Sequence, residues 1–224
     1  MGMRFTGSGT AMRGCNLSAA RAVQLSIASD APLTQDWDMR TAWMYVLLLA
    51  AVPARAQDPA PEAVRARHLK LELAVDHAAQ RLSGAITYDF ENWTAQPTSH
   101  VSFLLNRLME VSAVKDGGGT ALPYAQDVVR VRDMPMRQVT QVRVNLPRPI
   151  PAGGHATVRI DYAGNLVGYT EVGWLYVRDR IDTAFTIIRE DALAFPVIGG
   201  VSDAANRKRP RGDFTYDAAI RVPA

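Results

Sequence analysis

The segment His68–Asp76, with the sequence HLKLELAVD, has an apolar residue at every second position. Leu69, Leu71, Leu73 and Val75 alternate with polar or small residues. Because successive side chains of a β-strand point to opposite faces, this period of two predicts a strand with one face in a core and the other in water.

The same alternation recurs along the rest of the chain, with turn signals between the runs. The runs are AITYDF (85–90), HVSFLLN (100–106), EVSAVK (110–115), QVRVNL (141–146), HATVRIDY (155–162) and FTYDAAIRVP (214–223). DGGG (116–119) favours a hairpin turn with positive φ, and PRPIPAGG (147–154) predicts a linker outside any strand. The pattern predicts an all-β fold, an antiparallel β-sandwich or a large curved sheet.

Residues 39–56 have the organisation of a secretory signal peptide. Met39 and Arg40 precede an apolar run over 42–52, and Ala54-Arg55-Ala56 provides small residues before a predicted cleavage at Gln57. Eleven apolar residues are too few to span a bilayer, which needs about 20. The sequence therefore predicts a chain that is exported, periplasmic or secreted, with no membrane span after cleavage.

A signal peptide at this position divides the chain into four parts. Residues 1–38 would be an over-extended gene start without structure, 39–56 the signal peptide, 57–66 a linker and 67–224 the β-domain. The one cysteine, Cys15, lies before the predicted start, so the mature chain would have no disulfide and no cysteine metal ligand.

The charge of the chain does not point to a polyanionic partner. The whole chain carries a formal net charge of +3, and residues 57–224 carry 20 basic and 19 acidic side chains, a net charge of +1. This balance gives no basis for binding nucleic acid or an anionic membrane.

Familiar catalytic motifs are absent from the sequence. None of the four histidines, His68, His77, His100 and His155, belongs to an H-E-x-x-H motif, and there is no G-x-S-x-G elbow. We expect histidines at the surface and a solvated loop at NRKRPRG (206–212). The stretch REDALAFPVIGG (189–200) follows neither a strand nor a helix pattern, which leaves open an ordinary turn or part of a binding site.

The order of the motifs resembles that in the N-terminal β-domain of the aminopeptidase N-like (gluzincin) zinc metallopeptidases. The resemblance rests on residues 81–115 (RLSGAITYDFENWTAQPTSHVSFLLNRLMEVSAVK), 146–166 (LPRPIPAGGHATVRIDYAGNL), 173–177 (GWLYV), 186–197 (TIIREDALAFPV) and 214–223. It covers about Leu69 to Pro223, and it depends on the order and spacing of motifs that are individually short.

The resemblance implies a non-catalytic domain. In that family the β-domain packs against a thermolysin-like catalytic domain that carries the zinc site, H-E-x-x-H and G-x-M-E-N, and this sequence contains neither motif. We therefore expect no cofactor in this chain, zinc in the catalytic domain, and as partners that domain and the N-termini of peptide substrates. The alternative is a stand-alone periplasmic β-sandwich that acts as a binding or scaffolding module.

The resemblance also implies one substrate-binding residue. In the family a Glu or Gln of the T-Q-x-E segment binds the α-amine of the substrate, and Glu190 is the best match. The spacing from Thr186 is one residue longer than in the motif, and PVIGGVSDA replaces the family's P-C-x-D-E-P. The alternative is a loop glutamate paired with Arg189 or with solvent.

Overall fold

The computed structural model describes residues 2–9, 61–166, 180, 181, 186, 188, 190–210 and 212–222. These residues form ten strands, one short helix and a 3-10 turn at Glu190–Ala192. The elements are β1 (Gly2–Gly9), β2 (Val64–Asp76), β3 (Arg81–Asn92), β4 (Thr98–Asn106), β5 (Met109–Asp116), β6 (Tyr124–Val131), β7 (Met134–Ile150), β8 (His155–Asn165), β9 (Val197–Ile198), α1 (Asp203–Lys208) and β10 (Phe214–Arg221). No helix among them is long and apolar enough to cross a bilayer.

The strands form two sheets, which confirms the prediction of an all-β fold. One sheet has the order β1-β10-β2-β3-β8-β5 and the other the order β6-β7-β4-β9. Neighbouring strands are antiparallel with one exception, because β10 runs parallel to β2. A parallel pair needs a long crossover, and here the chain crosses to the second sheet at β9 and returns before β10 begins.

The hydrophobic core lies between the two sheets. Ile86 and Phe90 from β3 and Phe103 and Leu105 from β4 are fully buried, and the rings of Tyr88 and Phe103 lie 5.6 Å apart. The alternating apolar residues of β2 contribute to the same core. The predicted inner faces are therefore the buried ones.

Two glycines allow neighbouring strands to come close together. A Cβ atom on Gly84 would lie 2.3 Å from the Glu72 carbonyl oxygen, and one on Gly164 would lie 2.2 Å from the Leu108 carbonyl oxygen. Both contacts are with backbone atoms, which cannot rotate out of the way. Both glycines belong to the motifs that carry the family resemblance, and this close approach is the physical reason for them.

A tight turn with positive φ is present at residues 116–119 as predicted, but it joins β5 and β6 of different sheets, with only the single bridge between Lys115 and Ala121 to form a hairpin. The Asp116 side chain accepts hydrogen bonds from the Gly118 and Thr120 amides at 2.9 and 2.8 Å. Gly119 has a φ of +86°, a conformation that glycine adopts without strain.

The prediction that residues 147–154 form a linker is wrong for the first half of that segment. β7 continues through Pro147 and Pro149 to Ile150, which pairs with Thr98. The register between β7 and β4 shifts between Thr98 and His100, so the ladder is irregular where the prolines lie. A bulge of this kind does not need the N–H groups that proline lacks.

Two segments expected to lack regular structure form strands. β2 begins at Val64, which is fully buried, so the strand starts inside the predicted linker 57–66. Gly2–Gly9 pairs along its whole length with β10, which differs from the expectation for residues 1–38 and leaves no open edge on β10. The predicted signal peptide lies outside the described residues.

Candidate functional site

The segment from Glu190 to Gly200 contributes the short strand β9 to the four-stranded sheet. Its 3-10 turn leads into β9, which pairs with Phe103 and Leu104 of β4. Between them, Leu193 has a φ of +52° and is buried together with Ala192 and Ala194. A buried residue in this strained conformation needs firm support from its surroundings.

Asn106, at the end of β4, supplies that support. It is fully buried, and its side-chain amide donates to the Ala192 carbonyl at 3.2 Å while its backbone N–H donates to the Leu193 carbonyl at 2.8 Å. The Asn106 side-chain oxygen accepts from the Leu108 amide at 3.0 Å. One side chain thus joins the end of β4 to the turn that carries Glu190.

Tyr88 supports the same segment from the core. Its hydroxyl donates a hydrogen bond to the Pro196 carbonyl at 2.8 Å. Burial raises the pKa of Tyr88 well above its usual range, the nearby Glu190 carboxylate raises it further, and Arg209 opposes both effects. The hydroxyl therefore stays protonated and remains a donor at physiological pH.

The far end of the segment is fixed to β4 and α1. The Gly199 amide donates to the Ser102 carbonyl at 3.0 Å, and the Glu62 carboxylate accepts from the Ser102 amide at 3.2 Å. The Asn206 side chain accepts from the Gly200 amide and donates to its carbonyl, at 2.9 and 2.8 Å. The glycine pair is therefore a fixed connection.

Helix α1 is fixed by an aspartate from the turn between β6 and β7. Ser202 caps the helix, and Asp133 accepts hydrogen bonds from the Asp203 and Ala204 amides at 2.8 and 2.6 Å. Burial opposes ionisation of Asp133, but these backbone bonds together hold its pKa below the usual value. The basic stretch at 206–212, predicted as a loop, is helical as far as Lys208, because this capped first turn precedes it.

Glu190 lies at the exposed beginning of the 3-10 turn. Its backbone carbonyl accepts from the Leu193 amide at 2.8 Å, so the turn is closed through the main chain. Arg189, the alternative partner of Glu190, lies outside the described residues, as does GWLYV (173–177). The role of Glu190 in amine binding remains a prediction.

The histidines do not form a metal centre in the described part of the chain. His68 is half-buried, with Nδ1 2.8 Å from the Thr215 hydroxyl and Nε2 3.7 Å from an Asp217 carboxylate oxygen. His100 and His155 are exposed. Within the ranges described above, no group of three or more His, Cys, Asp or Glu side chains is placed to hold a metal ion.

Loss of the hydroxyl group should affect the free energy of unfolding differently at the two buried tyrosines, Tyr88 and Tyr162. Tyr88→Phe leaves the buried Pro196 carbonyl without a donor, so we expect unfolding free energy to fall by about 1–3 kcal/mol. The Tyr162 hydroxyl is buried and has no hydrogen-bond partner within the described part, so Tyr162→Phe should leave stability within about 0.5 kcal/mol or raise it. Urea unfolding of both variants compares them. Equal losses would contradict the assigned hydrogen bonding.

Neither a family model nor a curated protein matches the chain. Several solved structures match about half of the chain. An M1 zinc metallopeptidase from Deinococcus radiodurans matches at 25% identity, over 46% of this chain and 21% of that chain, with a TM-score of 0.37. A two-domain M1 zinc metallopeptidase bound to L-tryptophan matches at 26% identity, over 48% and 22%, with a TM-score of 0.38. LTA4 hydrolase from yeast, in complex with bestatin, matches at 13% identity, over 53% and 18%, with a TM-score of 0.37.

The chain thus matches about a fifth of the length of these structures. The matched part is about half of this chain. The chain is similar to M1 zinc metallopeptidases, the family to which its sequence motifs point.

Proposed function

We propose that this chain is the non-catalytic N-terminal β-domain of an exported zinc aminopeptidase, in which Glu190 binds the α-amine of the peptide substrate. The observation that carries the proposal is the position of Glu190. The segment that resembles the family's amine-binding motif is held by Asn106 and Tyr88, and Glu190 is exposed where that segment begins.

A carboxylate in this position suits the recognition of an ammonium group. Hydrogen bonds between ionised partners are about twice as strong as neutral ones, and their strength depends on a fixed geometry. The Glu190 carbonyl accepts from the Leu193 amide, and Asn106 holds the Ala192 carbonyl two residues further along, so the backbone next to Glu190 is held in place. A rigid backbone with an exposed charge lowers the entropy cost of binding.

We assign no step of peptide hydrolysis to the present chain. Zinc and the general base would come from a thermolysin-like catalytic domain, and export would follow from the signal peptide at residues 39–56. The β-domain would provide one wall of the substrate cleft and read the free amino end of the peptide.

Glu190→Gln should weaken amine binding without changing the fold. We expect leucinamide to shift the amide resonances of residues 190–200 in the full-length chain, with an apparent Kd about tenfold higher in the variant, equivalent to about 1.4 kcal/mol. The loss follows because glutamine keeps the shape of the side chain but not its charge. NMR titration measures both the affinity and the residues that respond.

Two controls make the titration specific. Glu110→Gln removes an exposed glutamate from β5, outside the proposed site, and should leave the titration unchanged. 4-Methylpentanamide, the analogue of leucinamide without the amine, should not bind. Equal shifts with both ligands, or shifts that persist in Glu190→Gln, would exclude amine recognition by Glu190 and favour a stand-alone binding module.

A further inference from the structure

The outer edge of β10 is covered by a complete strand, β1. β10 lies between β2, to which it is parallel, and β1, to which it is antiparallel. All eight residues of β1 pair with β10 without a bulge, from Gly2 opposite Arg221 to Gly9 opposite Phe214. The β10 edge thus accepts a complete extended segment.

On two other edge strands, β5 and β9, side chains bind some of the outward-facing backbone groups. On β5, the Val111 amide donates to the Gln126 side chain at 2.9 Å, and the Val111 carbonyl accepts from the Tyr124 hydroxyl at 3.1 Å. On β9, the Ile198 carbonyl accepts from the Arg209 guanidinium. Within the described residues, the outer edge of β10 differs from these because a strand covers it.

The strand that covers β10 is a poor one by composition. Three of the eight residues of β1 are glycine, the residue least suited to a strand interior. Gly7 and Gly9 stand opposite Tyr216 and Phe214, so half of the positions opposite the core-facing row of β10 lack a side chain. At these two positions β1 can pair through its backbone alone.

The core-facing row of β10 is also incompletely covered. Ala218 and Ile220 are only partly buried, whereas Leu71 and Leu73, which pair with them on β2, are buried. Apolar surface therefore remains at this edge even with β1 in place. Phe214 and Tyr216, which pair with Gly9 and Gly7, are also only partly buried, so a segment with apolar side chains at those two positions would bury more apolar surface.

We propose that the β10 edge is an acceptor site for an extended segment of another polypeptide, which adds as an antiparallel strand in the place of β1. The segment would carry apolar residues at alternate positions, opposite Phe214, Tyr216, Ala218 and Ile220. This is peptide recognition by strand addition, in which main-chain bonds give affinity and alternate side chains give specificity. The predicted cleavage at Gln57 would remove β1 and open the site.

The acceptor edge is independent of amine recognition by Glu190. Glu190 lies in the turn before β9 of the four-stranded sheet, whereas β10 belongs to the six-stranded one. The two proposals can therefore fail separately, and the experiment below contains no amine ligand.

The test displaces β1 within the full-length chain and offers a segment in trans. The double variant Arg4→Pro/Phe5→Pro removes two N–H groups from β1. We expect hydrogen exchange to rise at least tenfold for those amides of Phe214–Arg221 that bond to β1, with a smaller change at the alternate amides that bond to β2, and a peptide of residues 2–9 to restore the protection. A peptide with Gly7→Val and Gly9→Val should bind at least fivefold more tightly in fluorescence anisotropy.

Three comparisons decide the outcome. The unaltered chain should bind either peptide at least tenfold more weakly than the double variant, because its tethered β1 occupies the edge at a high effective concentration. A peptide with Phe5→Pro should not bind. Failure of every peptide to protect residues 214–221 would overturn the proposal. Protection that instead rises with protein concentration, together with dimers in sedimentation, would show that the edge pairs with a second copy and not with a foreign segment.

Discussion

Gly164→Ala is expected to lower the free energy of unfolding by about 3 kcal/mol, one of the largest losses among the substitutions considered. The added methyl group would lie 2.2 Å from the Leu108 carbonyl oxygen and 2.6 Å from the Met109 Cα atom. Gly164 pairs with Met109, so relief of the clash must separate β8 from β5. Urea denaturation measures the loss, and lower amide protection in β5 should accompany it.

Gly118→Ala is the matched control for this substitution. Gly118 lies in the turn after β5, and a Cβ atom there would meet only the Asp116 carboxylate, at 3.3 Å. We expect a change within about 1 kcal/mol. A loss at Gly164 no larger than that at Gly118 would contradict the close approach of β8 to β5 as its cause, because the entropy of the unfolded chain favours alanine at both positions.

Asn106→Ala is expected to cost about 2–4 kcal/mol and to loosen the segment that carries Glu190. The substitution leaves the Ala192 carbonyl and the Leu108 amide without their side-chain partners, and an unsatisfied buried polar group costs about 1–3 kcal/mol. The backbone N–H of residue 106 still donates to the Leu193 carbonyl, so the strained turn loses its side-chain support at Ala192 and keeps its main-chain support. Unfolding experiments and hydrogen exchange of residues 192–194 together measure both effects.

Asn145→Ala is the matched control for Asn106→Ala. It changes an exposed residue on the neighbouring strand β7 and should alter stability by less than about 0.5 kcal/mol.

Amine affinity separates a role of Asn106 in positioning Glu190 from a role in stability alone. If the 190–200 segment positions Glu190, leucinamide should bind more weakly to Asn106→Ala even where the chain is fully folded. Unchanged affinity with reduced stability would leave Asn106 a structural role alone.

Alternation of apolar and polar residues predicted the strands that have one buried face. It did not predict strands that are exposed on both faces, very short or interrupted by proline. β6 has exposed residues on both faces, including Val128 at 59% exposure, so its sequence YAQDVVRV shows no clean period of two. β9 has two residues, too few for a pattern. β7 continues through prolines because a bulge accommodates them, and a bulge depends on the partner strand.

The candidate site was predictable only in part. The sequence placed Glu190 in an irregular segment, and the structure shows a 3-10 turn there. Its support was not predictable, because Asn106 and Ala192 lie 86 residues apart and nothing in a single strand indicates the contact. Gly84 and Gly164 belong to the motifs of the resemblance. The close approach of the neighbouring strands, which requires glycine at both positions, is visible only in the structure.

The parallel pairing of β2 with β10 also bears on how the chain folds. The contact between His68 and Thr215 joins residues 147 positions apart, and the intervening chain forms most of both sheets. Chains with such distant contacts fold slowly, because loop closure costs entropy before the contacts form. During synthesis β2 has to wait for β10, so its edge stays available to other strands until almost all of the domain has been made.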